Sequence, residues 1–315
     1  MTMFSKSLFS SVNASLEYNA TKNITDNEKI PNEDELPGNW VYITSIIALL
    51  LCLPGLVGNG IVIWLLGFRI KRTPFTTYIL NLAIADFGVL NNEFIGDTCY
   101  LFGLVTPDIY QDYYAFFYHG IFLFTFTVSQ YLMTIISIDR CVCVFFPLWH
   151  RCHRPPHLST CVCVIVWILS FLTTAIGVSL SYSGFPIITF LQFLFNAVVC
   201  MPIMCMSTIA IFIKFCLSPP QRKMGKLLRT IWITLFFFLL FAFPFNITLI
   251  LYLSNLQNDY LYGYGNFCAL LNSAINPMIY YLVGRDKRGR SSKRINKVLE
   301  KLFKEEEECR ENQEI

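Results

Sequence analysis

The sequence predicts an all-α membrane protein: a seven-transmembrane helix bundle followed by a short amphipathic helix on the inner leaflet. Three observations carry this. Of 315 residues, 55% are hydrophobic and only 14% charged, against about 45–50% and 25% in a soluble domain. Mean hydropathy is +0.51. The apolar residues are also gathered into blocks, and the few charges are sorted between them. A disordered chain, a binder of nucleic acid built on basic charge (net charge only +3) and a small disulfide-stapled secreted domain are all excluded.

Crossing a bilayer as a helix takes about 20 mostly apolar residues. Seven blocks meet that length: Trp40–Leu66, Pro74–Tyr100, Tyr113–Phe146, Leu158–Leu180, Pro186–Leu217, Leu227–Leu253 and Tyr260–Val283. They lack the period-2 alternation of barrel strands, and lipid leaves no backbone polar group open, so they read as helices. Among the connections, Ser181–Phe185 is only a few residues long, which predicts a shallow, open outer mouth.

Charge sets the orientation. Three Lys precede the first span (Lys6, Lys22, Lys29). Every other Lys and Arg falls at or beyond the ends assigned to the cytoplasm, and residues 101–112, 181–186 and 254–260 contain none. Positive charge stays inside, so the N-terminus is predicted outside and the C-terminus in the cytoplasm of a plasma-membrane protein. Residues 1–38 form the predicted extracellular tail, without an apolar leader, so the first span would direct insertion. Three acceptor triplets at Asn13, Asn19 and Asn23 predict glycosylation of that tail. A fourth, Asn246-Ile247-Thr248, falls inside a span, out of reach of the glycosylation machinery.

The bundle covers residues 39–283. Residues 284–304 carry Ile295, Val298, Leu299, Leu302 and Phe303 at helical spacing among Lys and Arg, which predicts an amphipathic helix held on membrane lipid. Residues 305–315 read as a solvated acidic tail. Of the twelve Cys, ten lie within spans or at their inner ends, where free Cys packs as a small hydrophobe. Cys99 alone in the bundle nears the oxidising side, and no disulfide is predicted.

Polar groups inside a membrane are costly and face a partner, water or a ligand. The second span carries Asp86, then Glu93 and Asp97 one turn apart. The third carries His119 and, at its inner end, Asp139-Arg140. The seventh carries Asn272, Asn276 and Pro277; Asn59 lies in the first, and Pro202 and Pro244 interrupt the fifth and sixth.

This order of landmarks resembles the rhodopsin-like G-protein-coupled receptors across Pro37 to Phe303. It consists of Gly58-Asn59, Leu82-Ala83-x-x-Asp86, Asp139-Arg140-Cys141, Trp167, Pro202, Phe241-x-x-Pro244 and Asn276-Pro277-Met278-Ile279-Tyr280. Finer features are similar to the Mas-related branch: Thr73-Pro74-Phe75-Thr76, Ser137-Ile138-Asp139-Arg140-Cys141, His150-Arg151-Cys152-His153-Arg154-Pro155 and Asn272-Ser273-Ala274-Ile275-Asn276-Pro277. The chain departs from most of the wider family in four places. Ala115 stands where a disulfide cysteine is usual, Ala242 replaces a Trp before Pro244, Cys141 replaces a Tyr, and Met224 stands where an acid often locks Arg140. By this resemblance the lock would be Asp139 holding its own neighbour Arg140.

The resemblance implies an extracellular ligand, heterotrimeric G protein and arrestin as partners, and no enzymatic activity. Asp139, Arg140, Pro244, Asn276, Pro277 and Tyr280 would form the coupling switch. Asp86, Ser129, Asn272 and Asn276 would form a buried polar cluster, where the resemblance implies a sodium ion and the residues alone equally allow a protonated Asp86. For the ligand, the outer acids Glu93, Asp97, Asp108, Asp112 and Asp259 face no Lys or Arg, which steers cations to the mouth. Phe122 occupies the position of the amine-receptor aspartate, so a biogenic amine is not expected. A cationic peptide or small basic amphiphile at Glu93, Asp97, Tyr118, His119 and Phe122 is expected instead. The rival readings are a receptor-like protein that binds ligand or partners without G-protein coupling, and a transporter. The sequence shows neither the internal repeat of a transporter nor the H-E-x-x-H or G-x-S-x-G of an intramembrane enzyme.

Overall fold

The computed structural model describes residues 36–70, 72–104, 110–146, 154–155, 157–216, 226–254 and 259–284. The expected tail glycosylation sites, the amphipathic helix and the acidic tail lie outside these residues. Helices α1 (Leu36–Trp64), α2 (Pro74–Leu101), α3 (Tyr110–Phe145) and α4 (Leu158–Tyr182) come first. Next, α5 runs as Ile187–Phe195, a π-helical turn Asn196–Cys200, and Met201–Cys216; α6 (Lys226–Leu253) and α7 (Asp259–Gly284) complete the bundle. All seven predicted spans are present, with ends within a few residues of those expected from apolarity alone.

Five of these helices are long and apolar enough to cross a membrane by length and composition. The two that fall short, α2 and α7, are the ones carrying Asp86, Glu93 and Asp97, and Asn272 and Asn276. They spend apolar positions on polar groups that face inward. The helices close into a ring, α7 packing on both α6 and α1, with α3 running through the middle against α2, α4, α5 and α6. The apolar window of α3 is accordingly 72% buried, against 28–39% for the other four candidate spans.

Local chemistry fixes the ends and bends. α2 begins on a reciprocal cap: the Thr76 backbone N–H donates to Thr73 Oγ1 at 3.1 Å, and the Thr73 N–H donates to Thr76 Oγ1 at 2.7 Å. Pro74, which needs no N–H partner in the first turn, sits between them. The α4–α5 connection is the short one foreseen, Ser183–Pro186, and turns through Gly184 at φ 92°, where an L side chain would be strained. Pro202 cannot continue an α-helical ladder, and α5 places its π turn immediately before it, with the Met201 N–H reaching back to the Asn196 carbonyl. Pro244 and Pro277 lie inside α6 and α7.

Two apolar clusters fill the interior. The inner one gathers Leu65, Leu82, Leu132, Met133, Met204, Phe238 and Tyr280; the outer one centres on Phe122, Phe126, Phe193 and Phe245. Phe245 meets Phe126 edge-on at 4.6 Å between ring centres and Phe122 at 5.6 Å. These rings tie α3, α5 and α6 together, and Ala242, wholly buried, packs in the inner cluster.

Candidate functional site

In the middle of the bundle, Asp86 is fully buried. Ser129 Oγ donates to its Oδ1 at 2.8 Å and Asn276 Nδ2 donates to its Oδ2 at 2.7 Å. One carboxylate thus joins α2, α3 and α7. Asn272, also fully buried, has neither amide atom bonded among the described residues, so a polar group remains to be satisfied there. The structure joins three of the four residues of the expected core cluster, Asp86, Ser129 and Asn276; Asn272 is buried but, among the described residues, not bonded to them. Their chemistry, carboxylate, hydroxyl and amide oxygens around one net charge, fits a small hard cation. Among the described residues there is no group of three or more His, Cys, Asp or Glu that would hold a transition metal.

The first and fourth spans are fastened to this core. Asn59 Nδ2 donates to the Gly55 carbonyl at 3.1 Å and to the Ser273 carbonyl at 3.0 Å. Gly58 lets α7 come close, since a Cβ there would meet Pro277 at 2.8 Å. Trp167 Nε1 donates to Asn81 Oδ1 at 3.0 Å, tying α4 to α2.

Towards the outer end, Glu93 is 5% exposed. Tyr118 Oη donates to one carboxylate oxygen at 2.5 Å and Asn266 Nδ2 donates to the other at 2.6 Å. Both partners are neutral, so the charge is bonded but not cancelled. Tyr118 reaches this position because its ring lies over Gly96, where any Cβ would collide with it. Asp97, one turn further out, is half-buried beside Ser45, and its Oδ2 has no partner among the described residues. His119 packs against the Tyr118 ring at 5.4 Å. Phe122 is buried, 3% exposed, within the phenylalanine cluster beneath these groups. Asp108 lies outside the described residues.

At the inner end, one carboxylate holds two arginines. Asp139 Oδ2 accepts from Arg140 Nη2 at 2.9 Å, and Asp139 Oδ1 pairs with Arg154 Nη1 at 2.8 Å. Arg154 Nη2 also donates to Ser159 Oγ at 2.7 Å at the start of α4. The Arg140 guanidinium lies over the Phe75 ring, 4.1 Å from its centre. The pairing expected between Asp139 and Arg140 is present, extended by a second arginine and a ring.

Sequence reasoning found Asp86, Glu93, Asp97 and Asp139 but missed two of their partners, Asn266 on Glu93 and Arg154 on Asp139, and two neighbouring contacts, Gly96 under the Tyr118 ring and Phe75 under Arg140. An isolated sequence gives spacing along one helix, and these contacts run between helices. The only advance signal was that Phe75 and Arg154 fall within distinctive local motifs.

A seven-helix bundle with a buried acid at its centre, a polar mouth and an arginine clamp at the opposite end has the organisation of a membrane receptor. The model of the 7 transmembrane receptor (rhodopsin family) matches residues 58–280. The chain is 34% identical to the Mas-related G-protein coupled receptor member H of Rattus norvegicus over 296 residues, 90% of each chain. It is 35% identical to the Mas-related G-protein coupled receptor member D of the same species over 87% of this chain and 91% of that one. It is also 34% identical to the human (Homo sapiens) proto-oncogene Mas over 80% of each. The chain belongs to the rhodopsin family of seven-transmembrane receptors, in its Mas-related branch. Proteins of this family are receptors, not enzymes, and the chain is a multi-pass membrane protein.

Proposed function

We propose that the protein binds an extracellular cationic peptide or small basic amphiphile and in response activates heterotrimeric G proteins, with its N-terminus outside and its C-terminus in the cytoplasm. The observation that carries this is the outer pair of acids. Among the described residues, Glu93 is buried with only neutral hydrogen-bond partners and Asp97 keeps one buried oxygen unbonded, while the outer loops contribute no Lys or Arg. A carboxylate whose charge is not cancelled within the protein favours a cation arriving from outside. Asp97 would receive it, Tyr118 and His119 would flank it, and the cluster containing Phe122 would form the base. A sodium ion, or else a proton, at Asp86 would bias the bundle between its two packings. Arrestin and the inner-leaflet lipid bound by residues 284–304 complete the set of proposed partners.

The test is a screen of basic peptides and amphiphiles on cells expressing the receptor, with calcium and cAMP readouts, followed by nucleotide exchange on purified G proteins. An agonist whose potency falls in Asp97→Asn supports the reading. Binding without exchange on every G-protein class would favour a receptor-like protein that does not couple.

A further inference from the structure

We infer that Phe75 is a positioning residue for Arg140: its ring holds the arginine at the inner mouth, in the place of an acid on α6. This rests on the receptor reading above only in assigning the consequence of Arg140 release to signalling.

The contact itself is geometric. α6 contains no Asp or Glu along its whole length, Lys226–Leu253, so it offers Arg140 no anionic partner. The guanidinium is 4.1 Å from the centre of the Phe75 ring, and both residues are buried, at 7% and 3% exposure. A ring face carries the negative part of the aromatic quadrupole, and its attraction for a cation grows when water is excluded. Asp139 holds the guanidinium through Nη2 at 2.9 Å, yet divides its carboxylate with Arg154. A shared carboxylate neutralises each arginine less completely than an undivided one. The ring therefore supplies a second restraint where the acid alone is split between two cations.

The backbone holds the ring in place. Phe75 is the second residue of α2, directly after the Thr73 cap and Pro74. The two Thr73–Thr76 bonds and the fixed φ of Pro74 set the direction in which the helix starts. This gives the Thr73-Pro74-Phe75-Thr76 segment a purpose: the first three residues aim the ring across the inner end of α3, and the fourth closes the cap. For Arg140 to engage a partner in the cytoplasm it must leave both the carboxylate and the ring.

The test uses the full chain with Phe75→Leu, which keeps apolar bulk without a π face, Phe75→Tyr, which keeps the face, and a ring-trifluorinated phenylalanine at position 75, nearly isosteric but with its quadrupole depleted. Two readouts are taken: the rate at which phenylglyoxal modifies Arg140 in purified receptor, followed by peptide mass spectrometry, and ligand-free nucleotide exchange on a panel of heterotrimeric G proteins. The leucine and fluorinated forms should raise both by roughly threefold to thirtyfold, the range from an exposed to a desolvated cation–π contact, while tyrosine stays near wild type. If the leucine form does not reach the membrane, the fluorinated form decides. Wild-type Arg140 reactivity in the fluorinated form, or an equal rise in the tyrosine form, overturns the inference. A rise in reactivity with no exchange on any G protein supports the Phe75 contact and overturns the coupling reading instead.

Discussion

The outer and inner ends of the bundle use the same device in opposite electrical states. Each is built on one carboxylate, buried in Glu93 and part-buried in Asp139, that bridges two partners. Glu93 is held by a hydroxyl and an amide, Asp139 by two guanidinium groups. At the outer end the two acids have no Lys or Arg partner among the described residues, and the described side chains there leave the local charge negative. At the inner end one acid meets two arginines, and the local charge is positive. The outer end is thus suited to accept a cation, and the inner end already contains its own counter-charges and suits release. Charges inside a membrane mark functional sites, and on the function proposed above the two ends would divide receiving from responding.

The largest expected effect comes from removing the outer charge. Glu93→Gln together with Asp97→Asn should weaken a basic agonist by about a hundredfold in a dose–response assay, since charge-assisted bonds contribute about 1.5–3 kcal/mol each. An unchanged potency would erase the contrast between the ends. Next comes Asp139→Asn, which strands two arginines together. Losing one partner of a buried pair costs about 3–5 kcal/mol, and here part of that should appear as raised ligand-free nucleotide exchange and part as a lower melting temperature.

Gly96→Ala probes the geometry of the outer end without touching a charge. The new Cβ would collide with the Tyr118 ring, and overpacking of this kind costs about 1–3 kcal/mol. The free energy of unfolding should fall by that amount, and Tyr118→Phe in the same background should recover little, because the ring carbons clash more closely than the hydroxyl. The middle of the bundle gives a smaller effect: sodium chloride, compared with an equal concentration of an organic cation, should lower agonist affinity in wild type and not in Asp86→Asn. Smallest is Trp167→Phe, which removes the bond to Asn81 at a cost of about 1 kcal/mol in melting experiments and should leave both ends as they are.

Much of this architecture was legible in the sequence because the bilayer imposes it. The length of each apolar block, the position of Lys and Arg, and the few ionisable residues in spans follow from the cost of polarity in lipid. Asp86 with Ser129 and Asn276 came together as expected. What could not be read was which helix faces which. Asn266 and Glu93 are 173 positions apart, and no spacing rule joins them. Gly96 looked like any glycine in an apolar helix until the Tyr118 ring was seen over it. Phe122 stood out for its place on α3, yet its packing against Phe126 and Phe245 puts it in the core beneath the acids. The π turn before Pro202 is likewise a response of the backbone to a proline, visible only once the helix is built.

One assay tests the division between the two ends most directly: nucleotide exchange with and without a basic agonist, on wild type, Asp97→Asn and Asp139→Asn at matched surface expression. The division predicts that Asp97→Asn shifts the agonist dose–response by about tenfold or more, and that Asp139→Asn raises exchange before any agonist is added. Potency indifferent to the charge at Asp97, or ligand-free exchange in Asp139→Asn at the wild-type level, would contradict it.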